Sequence, residues 1–346
     1  METFSSGGGI FLTIKDLATL TGYSVGTVSR VLNNQPNVSD KARSAILEAV
    51  ANTGFQLNTN AQQLKQRHSK AILVIIKGTS NLLFSGLVES IQTRMAGQDC
   101  PVIVDYIDED SNEVRRALQL CAEKKPMGVL FLGGNRKNFL ADFARIDRPC
   151  VLVTDDAAGM PFENLSSVST DDVLAGRLAM ESLIGLGHRR FVIIGGDREN
   201  SDTARMRYRG CIEALNAHRI GFDGELDYET IRFSYEDGYQ AARNLLARGR
   251  EFTALFAMAD VMAIGAIRAL NDAGLRVPED ISVMGFDGLL IGDFITPRLA
   301  TVHQQVEDLA ERSLMILWEN IQRSCAPRYE SVPATVQIKE SVRDIR

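Results

Sequence analysis

Residues 24–33 of the chain, SVGTVSRVLN, combine side chains that are suited to reading DNA. Arg30 can make a bidentate contact with guanine or pair with a phosphate, and Thr27 and Ser29 offer short hydroxyl donors. Val25 can touch the methyl group of thymine. The predicted DNA contacts of this stretch and of the residues leading into it are Thr13, Val25, Gly26, Thr27, Ser29, Arg30 and Asn33.

Two short helices joined by a tight turn would position these side chains. Apolar residues recur at one-turn spacing on either side of an interruption at residues 21–23. Thr13, followed three residues later by Asp16, and Ser24 mark the two helix starts. This spacing is that of a helix-turn-helix, whose second helix can lie in the major groove of DNA. Taken alone, these residues fit a small helical bundle without DNA equally well.

A third helix and a polar segment are predicted next. Ser39 caps the third helix, and Gly54 supplies its stop. Residues 58–70 hold only Ala61 and Leu64 as apolar candidates among charged and amide side chains. The segment cannot build a core of its own, so we expect a linker or a helix that folds only against a partner.

Composition bounds the class of protein. A chain of 346 residues with 45% hydrophobic residues is globular and long enough for two or three domains. It holds no run of about 18 apolar residues and no signal-peptide pattern, which predicts a cytoplasmic protein without a membrane span. Five cysteines without a CxxC pair support neither a disulfide framework nor a zinc site.

Charge is distributed unevenly along the chain. Residues 1–70 contain seven lysines or arginines against four aspartates or glutamates, a net charge of +3. Because the whole chain carries −6, the remaining residues carry −9. A basic head on an acidic body is typical of a head that meets phosphate and a body that does not.

The rest of the chain predicts parallel sheets covered by helices. Short, nearly continuous apolar runs, the form of strands buried on both faces, alternate with helical patterns, which indicates doubly wound sheets in two similar halves. The runs are 71–76, 101–107, 128–132, 150–153, 191–196, 253–258 and 281–286. The helical patterns are 86–95, 113–121, 174–186, 207–217, 235–247 and 262–273.

Catalytic motifs do not stand out in the sequence. The glycine clusters fit neither GxGxxG nor GxxxxGK[ST], and no GxSxG elbow occurs. The four histidines lack metal-ligand spacing. The sequence therefore predicts a protein that is not an enzyme and uses no cofactor or metal.

The chain resembles the LacI family of bacterial transcription repressors over nearly its whole length. TIKDLATLTGYSVGTVSRVLNN resembles the opening signature of the family, and VSDKARSAILEAVANTGFQLNTNAQQL its third helix and hinge helix. SNLLFSGLV, IGLGHRRFVIIGG, ARMRYRGC, MADVMAIGAIRALNDAGLRVPEDISVMGFDG and VQIKES follow in family order. Ordered matches in several domains are far more specific than the head motif alone.

The resemblance implies an all-α helix-turn-helix head and an α/β body of the periplasmic-binding-protein type, with two doubly wound Rossmann-like subdomains. The implied regions are a disordered lead (1–12), the DNA-binding domain (13–57), a hinge helix or linker (58–70) and an effector-binding and dimerisation domain (71–346). Within that domain the N-subdomain would hold about 71–167 and 300–324, and the C-subdomain about 168–299 and 325–346.

The resemblance also assigns roles to single residues. Leu64, with Ala61 beside it, matches the hinge helix that wedges into the minor groove of DNA. Arg207 and Asp287 match the residues that clamp an effector, and a guanidinium and a carboxylate can hold vicinal hydroxyls from opposite sides. The further cleft candidates are Asn81, Phe84, Thr154, Phe233 and Gln304, where the two phenylalanines fit an ordinary core equally well.

Four positions depart from the family pattern. Gly26 brings no side chain to a base, and Leu57 stands where a proline is common, which leaves the operator sequence and the hinge start open. Thr154 and Ala259 replace an aspartate and an asparagine that commonly face the ligand. A sugar or sugar derivative remains the expected effector, with a modified sugar, a phosphosugar or an unrelated compound as open alternatives.

The predicted function is a homodimeric bacterial repressor that acts on the nucleoid. It would bind a palindromic double-stranded DNA operator under the control of a small molecule held between the subdomains. A sugar-binding transport receptor with the same body is the alternative from another class. That alternative would need a signal peptide and no basic head, whereas the sequence shows no signal-peptide pattern and has a basic head.

Overall fold

The computed structural model describes residues 13–32, 36, 38–53, 69–78 and 82–346. The chain separates into two compact units, Met1–Arg67 and His68–Arg346, called here the head and the body. Within the described ranges, every helix is too short or too polar to cross a membrane.

The head contains the predicted helix-turn-helix. Its helices are α1 (Ile14–Thr21), α2 (Val25–Leu32) and α3 (Asp40–Thr53).

Local signals set the ends of the first two helices. Thr13 and Asp16 form a reciprocal capping box at the start of α1, and Gly22, with φ +72°, makes the turn after it. The three helices bury one small core around Leu17, Val28 and Ile46. The caps and the apolar stripes therefore act together to fold this unit.

The body contains two six-stranded sheets with helices on both faces. The first sheet and its helices comprise β1 (Ile72–Lys77), α4 (Leu82–Met95), β2 (Val102–Ile107), α5 (Glu113–Lys124), β3 (Gly128–Leu132), α6 (Arg136–Asp142), β4 (Cys150–Val153) and β5 (Leu165–Thr170). The second comprises α7 (Asp172–Gly185), β6 (Phe191–Gly195), α8 (Asp202–Ala217), β7 (Tyr228–Thr230), α9 (Tyr235–Ala247), β8 (Ala254–Ala257), α10 (Asp260–Asp272), β9 (Ser282–Asp287) and β10 (Ala300–His303). The chain then returns through α11 (Val306–Arg323), β11 (Tyr329–Val332) and β12 (Thr335–Gln337).

Strand order is the same in the two sheets, which confirms the prediction of two similar doubly wound halves. The orders are β11-β5-β4-β3-β1-β2 and β12-β10-β9-β8-β6-β7. Every neighbouring pair in the first sheet is parallel, and in the second only β10 and β12 are antiparallel. This order places the carboxyl ends of the central strands of each sheet at one edge, where ligands bind in such folds.

All seven predicted apolar runs form strands. Six of them are almost entirely buried, as expected for strands covered on both faces, whereas β2, at the edge of the first sheet, is only partly buried. Strand β5, with the sequence LSSVST, was not predicted, although it is fully buried. Its hydroxyls find partners outside the strand: Ser167 Oγ lies 3.1 Å from Oδ1 of Asp156, 11 residues away, and Thr170 Oγ1 lies 2.8 Å from Oε1 of Gln304, 134 residues away. Polar side chains satisfied in this way give no apolar signal in the sequence.

The sheet pairings correct two predicted subdomain boundaries. Residues 300–303 were assigned to the N-subdomain, but they form β10, which pairs with β9 in the second sheet. Residues 329–332 were assigned to the C-subdomain, but they form β11, which pairs with β5 in the first sheet. The backbone hydrogen bonds that decide membership join residues far apart in sequence, so the linear order could not place these short strands.

Glycines allow two helix pairs to cross in near backbone contact. A Cβ atom at Gly176 of α7 would lie 2.3 Å from the carbonyl oxygen of Arg207, and one at Gly210 of α8 would lie 2.0 Å from that of Val173. Between α9 and α10, a Cβ atom at Gly265 would lie 2.1 Å from the carbonyl oxygen of Tyr235. No side chain fits at these crossings.

Replacing Gly265 with alanine should therefore destabilise the body. The added methyl group meets backbone rather than a movable side chain, so we expect Gly265→Ala to lower the free energy of unfolding by about 3 kcal/mol. Chemical denaturation followed by circular dichroism measures the change.

Gly185→Ala is the matched control, because no heavy atom lies within 4 Å of a Cβ built at Gly185 in α7. This variant should be neutral or slightly stabilising. Equal stability of the two variants would contradict the close crossing of α9 and α10.

Candidate effector cleft and DNA-binding surface

A cleft of about 540 Å³ lies between the two sheets of the body. Its lining comes from the ends of β1 and β9 and from the residues that follow β2, β3, β4, β6 and β7. Both sheets therefore direct their carboxyl ends into one space, as expected for a ligand site in this architecture.

Arg207 lines the cleft and is held rigidly. Its side chain, on α8, is only 3% exposed. Nε donates to Asp172 Oδ1 at 2.8 Å, and Nη1 donates to the carbonyl oxygen of Met258 at 2.6 Å. The guanidinium carbon lies 3.5 Å from the centre of the Phe286 ring. These contacts fix the orientation of the guanidinium plane.

Asp287 lines the same cleft from the end of β9. It is 1% exposed, and its φ of +112° is a strained value for a residue with a side chain. Oδ1 accepts a hydrogen bond from Gln304 Nε2 at 2.9 Å, while the buried Oδ2 has no partner among the described residues. Burial raises the pKa of this carboxyl to about 7, although nearby Arg207 lowers it. A buried acceptor without a partner indicates a place for a ligand donor.

Gln304 does not line the cleft, contrary to its prediction as a cleft candidate. The side chain is buried, and its amide links two sheets. Its Oε1 accepts from Thr170 Oγ1 at 2.8 Å, and its Nε2 donates to Asp287. Gln304 therefore positions Asp287 and is placed behind it.

Thr154 and its neighbour Asp155 both line the cleft after β4. Asp155 was not among the predicted residues. Its Oδ1 accepts from Thr203 Oγ1 at 2.6 Å, and its Oδ2 accepts from the backbone N–H of Gly134 at 3.0 Å. Burial raises its pKa to about 7. The Thr203 contact joins the first sheet to α8 of the second across the cleft.

Two predicted aromatic residues also reach the cleft. Phe84 and Phe233 are both part of its lining. Each ring packs on a glycine that follows a strand: a Cβ atom at Gly133 would lie 3.0 Å from Phe84, and one at Gly196 would lie 2.8 Å from Phe233. The glycines therefore make room for the rings beside the cleft.

Further contacts join the two halves of the body beside the cleft. Arg232, which follows β7, pairs with Asp108 and Glu109 after β2, with N–O distances of 2.7 Å in each case. Asn135 Nδ2 donates to the carbonyl oxygen of Asn200 at 2.9 Å. None of these residues was among the site residues predicted from the sequence. Their common position, directly after parallel strands, was the available signal.

Asp260 has a structural role beside the cleft. It begins α10, and its carboxylate accepts from Thr301 Oγ1 at 2.7 Å and from the backbone N–H of Leu289 at 2.6 Å. It therefore ties the loop after β9 to β10. Burial raises its pKa to about 8.

In the head, the structure separates exposed side chains from helix caps. Val25, Gly26 and Arg30 of α2 are exposed. The Thr27 and Ser24 hydroxyls lie 2.9 Å apart at the start of α2, and the Thr13 hydroxyl donates to Asp16 at 2.7 Å. Ser29 is half-buried. The predicted residues Asn33, Ala61, Leu64 and Asn81 lie outside the described residues.

A helix-turn-helix head joined to a two-sheet body with a ligand cleft defines a ligand-responsive DNA-binding regulator. Residues 13–58 match the family model "Bacterial regulatory proteins, lacI family", and residues 180–342 match "Periplasmic binding protein-like domain". The chain belongs to the lacI family of bacterial regulatory proteins. It is a DNA-binding transcriptional repressor whose body takes a small-molecule effector.

Relatives of known role cover nearly the whole chain. The HTH-type transcriptional repressor PurR of Mannheimia succiniciproducens is 30% identical over 336 residues, 96% of this chain and 99% of the relative. The HTH-type transcriptional regulator MalR of Clostridium butyricum is 33% identical over 315 residues, 90% of this chain and 93% of the relative.

Solved structures agree with these matches. The Lac repressor dimer bound to operator and the anti-inducer ONPF is 26% identical with a TM-score of 0.74, covering 96% of this chain and 99% of the other. The complex of the transcriptional regulator CelR with cellobiose is 26% identical with a TM-score of 0.69, covering 95% and 99%. These relatives are regulators of transcription rather than enzymes.

The three buried carboxyls predict a pH dependence of stability. Asp155 and Asp287 titrate near pH 7 and Asp260 near pH 8 in the folded chain, well above the value of about 4 in an unfolded chain. The folded state then binds more protons, so stability falls as the pH rises from 6.5 to 8.5. Asp260→Asn should reduce this loss by about 2 kcal/mol, because this carboxyl, with a pKa of about 8, releases its proton within that range.

Thermal unfolding of the ligand-free chain at several pH values measures the effect. His188, whose pKa is lowered by burial, acts mainly below this range and does not mask it. Asp344→Asn is the control, since that carboxyl has a pKa of about 2 and is ionised throughout. A midpoint that rises with pH, or an unchanged slope in Asp260→Asn, would contradict the assignment.

Proposed function

We propose that the chain is a homodimeric repressor of a palindromic operator, controlled by a sugar or sugar derivative in the body cleft. The observation that carries the proposal is the meeting of Arg207 and Asp287 in one cleft, with one buried oxygen of Asp287 lacking a partner among the described residues. Both side chains belong to the half of the body built on the second sheet, and a ligand bound to them would also meet Thr154 and Asp155 of the first half, which line the same cleft.

The chemistry of the cleft favours a polyhydroxy ligand. A rigid guanidinium and a carboxylate can bind adjacent hydroxyls, and the Phe84 and Phe233 rings offer apolar surface for a sugar face. Support also comes from CelR, a relative that has been solved with cellobiose. The same cleft in this chain is therefore proposed to take a carbohydrate.

The head is proposed to bind the operator through the exposed face of α2. Val25, Gly26 and Arg30 would meet the major groove, with Asn33 at the helix end. Ala61 and Leu64 of the hinge segment would enter the minor groove at the operator centre. The net charge of +3 over residues 1–70 supports contact with phosphate.

A homodimer is supported by an exposed apolar surface on the body. Leu290, Ile291 and Phe294 are 74%, 41% and 76% exposed in the segment after β9. Apolar side chains clustered in this way are a common feature of subunit interfaces. Two heads related by a two-fold axis would match a palindromic operator. The repressor would then act in the bacterial cytoplasm, on the DNA of the nucleoid.

Arg30→Ala tests the DNA-binding surface. If Arg30 contacts a base or a phosphate, its removal should weaken operator binding by about 10- to 100-fold. Fluorescence anisotropy with an operator selected from a random library measures the affinity at two salt concentrations.

Arg268→Ala is the control for Arg30→Ala, because Arg268 is an exposed arginine of the body that pairs with Asp272. Its affinity for the operator should equal that of the wild type. Unchanged specific binding in Arg30→Ala would remove α2 from the interface.

Asp287→Asn tests the effector cleft. A screen of sugars by thermal shift should yield at least one that stabilises the wild type, and Asp287→Asn should lose at least tenfold in affinity for it because a charged acceptor is removed. The variant should still bind operator, which shows that it folds.

Asp308→Asn, a variant of an exposed aspartate on α11, should bind the same sugar as tightly as the wild type. A hit that binds both variants equally well would place the effector site elsewhere.

A further inference from the structure

The cations that line the cleft are already engaged by the protein. Among the described residues they are Lys77, Arg207 and Arg232. Lys77 Nζ lies 2.8 Å from Glu113 Oε2, Arg207 Nε 2.8 Å from Asp172 Oδ1, and Arg232 Nε 2.7 Å from Glu109 Oε1. Each of these described cations therefore already has a carboxylate partner in the protein, and a ligand does not have to supply one.

Carboxylates outnumber cations in the same lining. Glu109, Asp110, Asp155, Asp197 and Asp287 all line the cleft. The partners of Lys77 and Arg207 add two further carboxylates just behind the surface. Residues 79–81, which lie outside the described residues, are Thr-Ser-Asn in the sequence and add no positive charge. Asp155 and Asp287, with pKa values of about 7, are partly protonated at neutral pH, but the acidic groups still outnumber the three cations, so the cleft carries a net negative charge.

Two helix starts beside the cleft, where backbone amides could hold an anion, already carry acceptors from the protein. The N–H of Asn135, at the start of α6, donates to Glu113 Oε1 at 2.7 Å. At the start of α8, Ser201 Oγ accepts the N–H of Ala204, and the carboxylate of Asp155 binds the Thr203 hydroxyl. An acidic or capping oxygen therefore already lies at each of these two helix starts, where an anion would have to displace it.

One buried acceptor remains to be satisfied. Asp287 Oδ2 has no partner among the described residues and lies in a side chain that lines the cleft. A hydroxyl or an ammonium group can donate to it, whereas a phosphate or carboxylate group would place negative charge against it in a poorly solvated site.

We propose that the effector is a polyhydroxy compound without negative charge, either neutral or carrying an amine, and that the cleft rejects phosphate esters and uronic acids. The proposal rests on the proposed carbohydrate-controlled function and narrows its ligand class. Asp287 Oδ2 receives the donor, and the surrounding carboxylates exclude anions by like-charge repulsion.

Matched ligand sets test the proposal on the full-length chain. Glucose, glucosamine, glucuronate and glucose 6-phosphate form one set, and the corresponding galactose compounds form another. Isothermal titration and thermal shift give the affinity of each member. Within a set that binds, the neutral or amino member should bind at least tenfold more tightly than the uronate and the phosphate ester. An anionic member that binds more tightly than its neutral parent would overturn the proposal and leave the carbohydrate function standing.

Inorganic phosphate provides a test that needs no sugar to bind. The wild type should show no saturable heat with millimolar phosphate at constant ionic strength. Saturable binding that disappears in Arg207→Lys, but not in the surface variant Arg268→Lys, would overturn the proposal. If no sugar of either set binds while operator binding is intact, the carbohydrate function fails, and the phosphate result still decides the charge of the site.

Discussion

A buried polar connection at the back of the cleft determines how the two sheets meet. Thr170 ends β5 in the first sheet and donates to Gln304, which follows β10 in the second. Gln304 in turn donates to Asp287 at the end of β9. Buried polar groups are costly unless each finds its partner, so this connection holds the sheets in one arrangement. Its one unmet acceptor is Asp287 Oδ2.

The same connection relates the cleft to the crossovers between the subdomains. The chain passes between the sheets after β5, after β10 and after β11. Asp287 is one hydrogen bond from the second crossover through Gln304, and Arg207 is one from the first through Asp172. A ligand shifts the arrangement of the subdomains only by its differential affinity for the two states. Because Asp287 and Arg207 are hydrogen-bonded to residues of the crossover segments, a ligand that contacts them can favour one arrangement of the subdomains over the other.

Much of the architecture follows from local sequence. The caps at Thr13 and Ser24 and the apolar residues at one-turn spacing determine the helices of the head, because these interactions act over three or four residues. The apolar runs determine seven strands, six of them almost entirely buried, because burial on both faces demands continuous hydrophobicity. Arg207, Asp287, Phe84, Phe233 and Thr154 could be placed in the cleft from the family resemblance.

The tertiary structure decided what those local signals leave open. Strand β5 is polar and exists through distant partners, and Thr170 and Gln304 lie 134 residues apart. The memberships of β10 and β11 depend on backbone pairing between such distant segments. The roles of Asp155, Gln304 and Arg232 likewise arise where loops from two sheets converge. Spacing along the chain specifies helices and strands, whereas the partners of a buried polar group are set only when the whole fold brings them together.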